Sequence, residues 1–221
     1  MNENKLNEIA NFSNESAKEK LIYGSNEKVQ SNLYSSYVKS FIDYFVSVVC
    51  VICLSPLLII ISILIKVDSK GPIIFKQDRY GKNKKIFQIY KFRTMYTDTP
   101  KYATSPTDSK DPRITRIGKF LRKTSMDELP QLINILKGDM SFIGPRPELR
   151  NIVEAHYGEL EYRRLSVKPG ITGNWQVSDV RTEPIHHNLQ YDFDYISNIS
   201  CKSDVVVIIK TIRILFKSNT F

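Results

Sequence analysis

The chain has 221 residues, 42% of them hydrophobic and 25% charged, which is enough for one catalytic domain and too few for two large ones. Its 32 Lys and Arg exceed its 23 Asp and Glu, so the net charge of +9 favours anionic partners: nucleic acid, an anionic membrane or phosphorylated small molecules. The three cysteines, Cys50, Cys53 and Cys201, exclude a disulfide framework and lack the second Cys or His pair of a zinc site, so a reducing compartment is expected.

An apolar segment follows a polar leader. Residues 1–36 are rich in Asn, Ser, Glu and Lys and are predicted to be flexible or weakly helical. Residues 44–65 then hold 22 positions without a charge, which is long enough for a membrane segment and too late in the chain for a cleaved signal. We assign 37–70 to this segment and 71–221 to a domain on its cytoplasmic side, because nine cations and only two acids lie between residues 66 and 93.

Ser55 and Pro56 stand at the centre of the apolar segment. A proline inside a helix removes one hydrogen bond and clashes with the carbonyl four residues earlier, so a sharp kink is expected there. Each arm would reach about halfway through a hydrocarbon core roughly 30 Å thick. Two topologies stay open at this point, a kinked span and a re-entrant hairpin, and Ser55 can help satisfy the backbone groups that Pro56 frees in either of them.

The rest of the chain predicts a mostly helical α/β domain associated with the membrane. Two β-prone runs, IIFKQDR and IFQIYKFRT, are joined by YGKNKK and predict a small β-hairpin. Lys91 and Arg93 would share one strand face, unless they form only a solvated basic edge. The amphipathic segments DPRITRIGKFLRK and DVVVIIKTIRILFK either lie at a membrane interface or pack on the domain.

Two adjacent acids, Asp127 and Glu128, precede a short helix with apolar residues at helical spacing. A capping box between Ser125 and Glu128 is one interpretation, but it would place Pro130 inside the helix, where proline is poorly tolerated. Pro130 in the first turn leaves both acids at or just outside the helix start, where the helix dipole keeps them ionised and a divalent cation would relieve their repulsion. The alternative is that the pair is purely structural.

A rigid turn, GPRP, follows this helix and presents Arg146. Its planar guanidinium suits phosphate, and the alternative is a surface arginine in a proline-rich turn. The three histidines, His156, His186 and His187, lack the helical spacing of metal ligands and receive no role.

Five segments in this order carry a family resemblance: SPLL, GPIIFKQDRYGKNKKIFQIYKFRTM, DPRITRIGKFLRKTSMDELPQLINILKGDMSFIGPRPE, VKPGITGNWQVS and YDFDYISNISCKSDVVVIIKTI. From about residue 37 to about residue 217 the chain closely resembles the bacterial sugar transferases, the monotopic phosphoglycosyl transferases, in a short catalytic-core form. The resemblance implies transfer of a sugar 1-phosphate from a UDP-sugar to polyprenyl (undecaprenyl) phosphate with release of UMP. It places the protein at the cytoplasmic face of a bacterial inner membrane, as the first membrane step of capsule, exopolysaccharide, O-antigen or glycoprotein glycan synthesis.

The resemblance also implies structural and chemical roles. It favours the re-entrant helix hairpin, broken at Ser55 and Pro56, over a span. Asp127 matches the nucleophilic aspartate that forms a covalent aspartyl-phosphosugar intermediate, and Glu128 matches the neighbour that helps hold Mg²⁺. The cations expected to contact phosphate are Lys91, Arg93, Arg113, Arg146 and, less regularly, Arg181, because the chain has DVR where the family usually has Gly-Arg after WQVS. The expected partners are a UDP-sugar, polyprenyl phosphate and membrane lipid; the sugar, the glycan and the oligomeric state stay open.

Two other function classes fit the composition. A membrane-tethered nucleic-acid binder would use the pI of about 9.3 and the interleaved aromatic and basic residues, but the chain has no recognisable binding module, so no nucleic-acid partner is expected. A non-catalytic scaffold for glycan assembly is the other class. It predicts that the chain still functions without the Asp127 carboxylate.

Overall fold

The apolar segment forms one long helix. The computed structural model describes residues 33–100, 106, 108 and 110–217, so most of the predicted leader, residues 1–32, lies outside the described part. A π-helical turn at Tyr34–Val38 leads into helix α1, Lys39–Asp68, which is about 45 Å long at ~1.5 Å per residue. By length and composition Tyr34–Asp68 could cross a membrane, and only 11% of its most apolar 18-residue window is buried. Its most exposed apolar side chains are Phe41, Phe45, Ile52, Ile59, Ile63 and Val67.

Helix α1 continues through Ser55 and Pro56, where the sequence predicted a break into two arms. The Ile52 carbonyl, four residues before Pro56, loses its usual partner because proline has no N–H. Ser55 Oγ donates a hydrogen bond to that carbonyl at 2.8 Å, so the predicted help from Ser55 is present. Helical structure therefore continues past this point, and the kink at Pro56 and the re-entrant topology stay predictions.

Both ends of α1 are attached to the same domain. Near its start, Lys39 Nζ lies 2.6 Å from Asp204 Oδ2 in the C-terminal helix. At its end, Asp68 Oδ2 accepts a hydrogen bond of 3.0 Å from the Ile117 N–H. The domain therefore accompanies the apolar helix along its length instead of hanging from one end of it.

The described residues after α1 form small sheets and short helices. In chain order the elements are β1 Ile74–Tyr80, β2 Ile86–Phe92, α2 Arg116–Lys123, α3 Gln131–Leu136, β3 Ser141–Ile143, α4 Arg150–His156, β4 Gly170–Thr172, α5 Gln190–Ser197 and α6 Cys201–Lys217, with 3₁₀ segments at Lys82–Lys84, Met126–Glu128, Glu161–Ser166 and Ile185–His187. Strands β1 and β2 are antiparallel, with Ile74 opposite Phe92, which confirms the predicted hairpin. Strands β3 and β4 are parallel, with Ser141 opposite Gly170. The fold is mostly helical with little sheet, as predicted.

The hydrophobic core of the domain includes one side of α1. One cluster joins β2 and α3 to α1 through Phe87, Ile89, Leu132, Ile135, Met140, Cys50, Val51 and Leu54. A second joins the end of β2 and α2 to α1 through Phe92, Leu121, Leu57, Leu58, Ile61 and Ile65. A third gathers the C-terminal helices around Ile143. Because each fully buried aliphatic side chain contributes about 1.5–3 kcal/mol, the apolar helix α1 is also a structural part of the domain.

A buried amide aligns α3 with β2. Asn134 is fully buried, its Oδ1 accepts a hydrogen bond from the Tyr90 N–H at 2.9 Å, and its Nδ2 donates to Gln88 O at 2.7 Å. A carboxamide carries one acceptor and a donor group, so it can replace a backbone peptide at a strand edge. The contact fixes α3, and the acid pair that precedes it, beside β2.

Candidate active site

The two acids lie in the 3₁₀ turn Met126–Glu128, just before α3. Ser125 has φ 56° and its side chain makes no capping bond, so the capping-box interpretation is wrong. Pro130 directly precedes α3 and occupies its N-cap position, where the missing N–H leaves no helical bond unmade. The acids therefore lie just outside the helix start, as the position of Pro130 predicted.

The turn that carries the acids packs against helix α1. The residues on either side of the pair, Met126 and Leu129, pack in the cluster that contains Ile61 and Ile65 of α1. A residue pair between two such contacts cannot move far from the helix without losing them. The acid pair is thus anchored directly on the apolar segment.

Glu128 is the acid that pairs with cations. Its Oε1 lies 2.6 Å from Lys91 Nζ and 3.7 Å from Arg146 Nη2, and its side chain is 20% exposed. Burial alone would raise the pKa of Glu128, but the charges of Lys91 and Arg146 outweigh it and lower the pKa to about 2. Glu128 is therefore a carboxylate throughout the physiological pH range.

Asp127 has the opposite environment. Within residues 33–100 and 110–217 its carboxylate makes no hydrogen bond or close ion pair. Partial burial raises its pKa, and the adjacent Glu128 charge adds to this, while Lys91, Arg122 and Arg146 act from a distance in the other direction. An unpaired carboxylate with a raised pKa suits a nucleophile better than one already neutralised by a cation.

A shallow cleft lies beside the acid pair, and Glu128 is the member of the pair that lines it. Its lining residues are Arg79, Ile89, Lys91, Glu128, Gln131, Arg146, Pro147, Gly170 and Ile171. Three of them are cations, on β1, β2 and the GPRP turn. Three converging cations in one cleft favour a ligand with more than one negative charge, such as a diphosphate.

Sequence reasoning missed Arg79. Lys91 stands opposite Phe75 in the β-hairpin, and Arg79 is four positions beyond Phe75 on the same strand. Since strand side chains alternate between faces, Arg79 and Lys91 share one face. The predicted hairpin, given its register, could have identified this residue.

Three of the predicted cations lie outside the cleft lining. Arg93 is buried and donates to Lys70 O at 2.8 Å and to Ser69 O at 2.7 Å, so it binds the carbonyls that end α1. Arg113 forms an ion pair with Asp111, with Nη2 and Oδ2 2.7 Å apart. Arg181 is exposed. Lys91 and Arg146 are the predicted cations that the structure brings to Glu128.

A metal ion would need ligands from outside the protein as well. Among the described residues no group of three or more His, Cys, Asp and Glu could hold a metal. However, Mg²⁺ commonly uses one or two carboxylates together with substrate phosphates and water. The Glu128 carboxylate fits that donor set, so the site suits Mg²⁺ that binds together with a phosphorylated substrate.

The fold and site define a protein with a cationic, acid-containing cleft beside a long apolar helix. The sequence profile described as bacterial sugar transferase matches residues 34–218, and the chain belongs to this family.

Several characterised relatives are similar over most of the chain. It is 40% identical over 184 residues to the UDP-N-acetylgalactosamine-undecaprenyl-phosphate N-acetylgalactosaminephosphotransferase of Aeromonas hydrophila, which covers 80% of this chain and 43% of that protein. It is 36% identical over 210 residues to the undecaprenyl-phosphate galactose phosphotransferase of Salmonella typhimurium, covering 87% of this chain and 44% of that protein. The exopolysaccharide production protein PSS of Rhizobium leguminosarum is 40% identical over 186 residues, 79% of this chain and 93% of PSS. The chain therefore spans less than half of the first two relatives and nearly all of the third.

Proposed function

We propose that this protein is a phosphoglycosyl transferase that moves a sugar 1-phosphate from a UDP-sugar to polyprenyl phosphate and releases UMP. The observation that carries the proposal is the contrast within the acid pair: Glu128 is held by Lys91 and Arg146, whereas Asp127 beside it is unpaired among the described residues. The relatives named as undecaprenyl-phosphate sugar phosphotransferases support the same reaction class.

In the proposed first step, an Asp127 carboxylate oxygen attacks the β-phosphorus of the UDP-sugar. The bond from that phosphorus to the bridging oxygen breaks, UMP leaves with the electron pair, and the sugar phosphate stays on Asp127 as an acyl phosphate. In the second step a phosphate oxygen of the polyprenyl phosphate attacks the same phosphorus and restores the carboxylate. A covalent intermediate lets a water-soluble donor and a lipid acceptor use one site in turn.

The surrounding residues lower the electrostatic cost of bringing a carboxylate to a diphosphate. Arg79, Lys91 and Arg146 would neutralise the phosphates and the charge that develops on the departing UMP. Glu128 would keep Lys91 and Arg146 directed at the cleft and would supply a carboxylate oxygen for Mg²⁺. When bound, the ion would neutralise phosphate charge further.

The lipid acceptor explains why this site rests on an apolar helix. We propose that α1 enters the membrane from the cytoplasmic side and returns to it, because both its ends contact the same domain. The C-terminal helix α6 exposes a second apolar surface, which would lie at the interface: Val205, Val206, Ile208, Ile209, Ile212 and Leu215. This arrangement would hold the acid pair at headgroup level, where the polyprenyl phosphate group lies. The product would begin a surface glycan.

The test is UMP release by detergent-extracted protein with Mg²⁺ and polyprenyl phosphate, screened over a panel of UDP-sugars. We expect one donor or a few related donors to be turned over. Without the lipid we expect a burst that does not exceed one UMP per protein, because Asp127 can hold one sugar phosphate. Equal release by Asp127→Asn protein would refute the nucleophile, and repeated turnover without the lipid would refute the acceptor.

A further inference from the structure

The GPRP turn is held from outside at three consecutive carbonyls. The donors come from three separate parts of the domain: the Gly170 N–H binds Pro145 O at 2.9 Å, Arg164 Nη2 binds Arg146 O at 2.7 Å, and Arg79 Nη1 binds Pro147 O at 2.9 Å. Each of these three carbonyls thus has its own hydrogen-bond donor.

The turn needs this support because it has few donors of its own. Pro145 and Pro147 have no backbone N–H, so Gly144 and Arg146 supply the turn's two backbone donors, and that of Gly144 binds Thr172 O at 2.9 Å. Such a segment cannot form the usual backbone ladder on both sides, and its position depends on the groups that bind its carbonyls. The position of the Arg146 side chain in the cleft depends on them in turn.

Arg164 is the most constrained of the three donors. Its side chain is 1% exposed, and its Nε and Nη2 both lie 2.8 Å from Oδ2 of Asp192, which is fully buried on α5. Its Nη1 donates to the Tyr157 hydroxyl. A buried ion pair persists only when hydrogen bonds compensate for the lost hydration, and these bonds fix the plane of the guanidinium.

The buried pair of Arg164 and Asp192 lies outside the lining of the cleft. Arg164 is not among the residues that line it, whereas Arg146 is. The buried pair therefore contacts the backbone of a cleft residue but not the space that a substrate would occupy. Any effect on the reaction would pass through Arg146.

We propose that Arg164 is a positioning residue: fixed by Asp192, it holds the backbone of Arg146 so that the Arg146 side chain stays beside Glu128 in the cleft. The kinetic part of this inference rests on the proposed function, in which Arg146 neutralises donor phosphate. The structural part, immobilisation of the turn, does not.

Hydrogen–deuterium exchange of the full chain tests the structural part. Arg164→Lys keeps the charge that pairs with Asp192 but loses the fork that reaches Arg146 O. We expect amides of residues 141–149 to exchange about tenfold faster, the effect of losing one hydrogen bond to a charged group. The control is Arg113→Lys, which makes the same change at an arginine whose Nη2 lies 2.7 Å from Asp111 Oδ2, away from this segment, and should leave residues 141–149 unchanged.

Unchanged exchange in 141–149 in Arg164→Lys would overturn the proposal, as would an equal increase in the control. If Arg164→Lys does not fold, Tyr157→Phe gives the same comparison, because it removes only the hydroxyl that supports Nη1. We then expect a smaller increase, about two- to threefold, confined to the same segment. No increase would overturn the proposal in that variant too.

A double-mutant cycle on UMP release tests the kinetic part. We expect Arg164→Lys to lower kcat/KM for the UDP-sugar about tenfold in the natural background and less than twofold in an Arg146→Ala background, because one residue acts through the other. The same fold loss in both backgrounds would show a purely structural role. If the natural protein releases no UMP with any donor, the proposed function fails while the exchange result still decides the role of Arg164.

Discussion

Lys91 Nζ lies 2.6 Å from Glu128 Oε1, so the cation of β2 is paired with the neighbour of the proposed nucleophile and not with the nucleophile itself. Two adjacent carboxylates are thereby driven apart in pKa: that of Glu128 falls to about 2 and that of Asp127 rises. Opposite pKa shifts in one site are typical of acids with different roles. In the proposed mechanism Glu128 is the charged holding residue and Asp127 the reactive one.

Asp127→Asn should abolish UMP release and stabilise the protein. The folded-state pKa of Asp127 is raised, so its ionised form weakens the folded state once the pH exceeds that pKa. A neutral amide removes this cost, and we expect Tm to rise at pH 7, with the difference shrinking as the pH falls. Thermal unfolding at pH 7 and pH 4, beside the activity assay, measures both effects. A lower Tm at pH 7 would contradict the assigned shift.

Glu128→Gln should destabilise the protein in a pH-dependent way. The folded-state pKa of Glu128 is about 2 against an ordinary 4.5, so its contribution is present above pH 4.5 and is lost as the pH falls towards 2. The shift corresponds to about 3 kcal/mol at neutral pH. Chemical denaturation of both proteins between pH 7 and pH 2.5 should give stabilities that converge at the acidic end. A constant difference across this range would exclude the ion pair as its source.

Magnesium removal should stop the reaction without unfolding the domain. The described residues offer no complete protein cage for a metal, so we expect the apparent Mg²⁺ affinity to improve when the UDP-sugar is present. Glu128→Gln should need more Mg²⁺ for half-maximal rate, whereas Arg113→Gln should match the natural protein. Titration of Mg²⁺ against UMP release after chelation provides the measurement. Full activity in excess chelator would argue against the metal.

Arg93→Ala should mainly lower stability, whereas Arg146→Ala should mainly lower activity. Arg93 is buried on the carbonyls that end α1, so its loss leaves Lys70 O and Ser69 O without donors and should cost about 2–4 kcal/mol of stability. Arg146 is part of the cleft and its side chain is 39% exposed, so its loss should lower kcat/KM with little change in Tm. Steady-state kinetics at a temperature where both variants are folded separates them. A raised KM for the donor in Arg93→Ala alone would restore the phosphate role predicted from the sequence.

Cysteine labelling should find both ends of α1 on the cytoplasmic side. Tyr37 and Lys70 flank the apolar segment and are exposed, so Tyr37→Cys and Lys70→Cys are accessible in a chain whose native cysteines, Cys50, Cys53 and Cys201, are replaced. A membrane-impermeant maleimide should label neither variant in intact cells and both in inverted vesicles. Permeabilised cells control for reactivity. Labelling of the two positions from opposite sides would reject the re-entrant topology.

The sequence by itself determined those features that depend on neighbours along the chain. Twenty-two uncharged residues specify an apolar helix wherever they lie, and alternating β-prone runs around a glycine-containing turn specify the hairpin. Pro130 places the acids outside the helix start because proline lacks an N–H and is favoured where the helix needs no backbone donor. These predictions agree with the structure because short-range sterics and hydrogen bonding control them.

Only the tertiary structure decided which arginines meet in the cleft and how α1 passes Pro56. A guanidinium can bind backbone carbonyls as well as phosphate, so the sequence allowed Arg93 either to cap a helix or to bind a substrate. In the folded protein, β2 packs against α1, and Arg93 binds the carbonyls at the end of that helix. Arg79 joined the site through the register of β1 with β2. Arg164 binds the GPRP turn from a buried position that no local sequence pattern indicates. Such roles depend on contacts between residues far apart in the chain, and these contacts exist only once the core has packed.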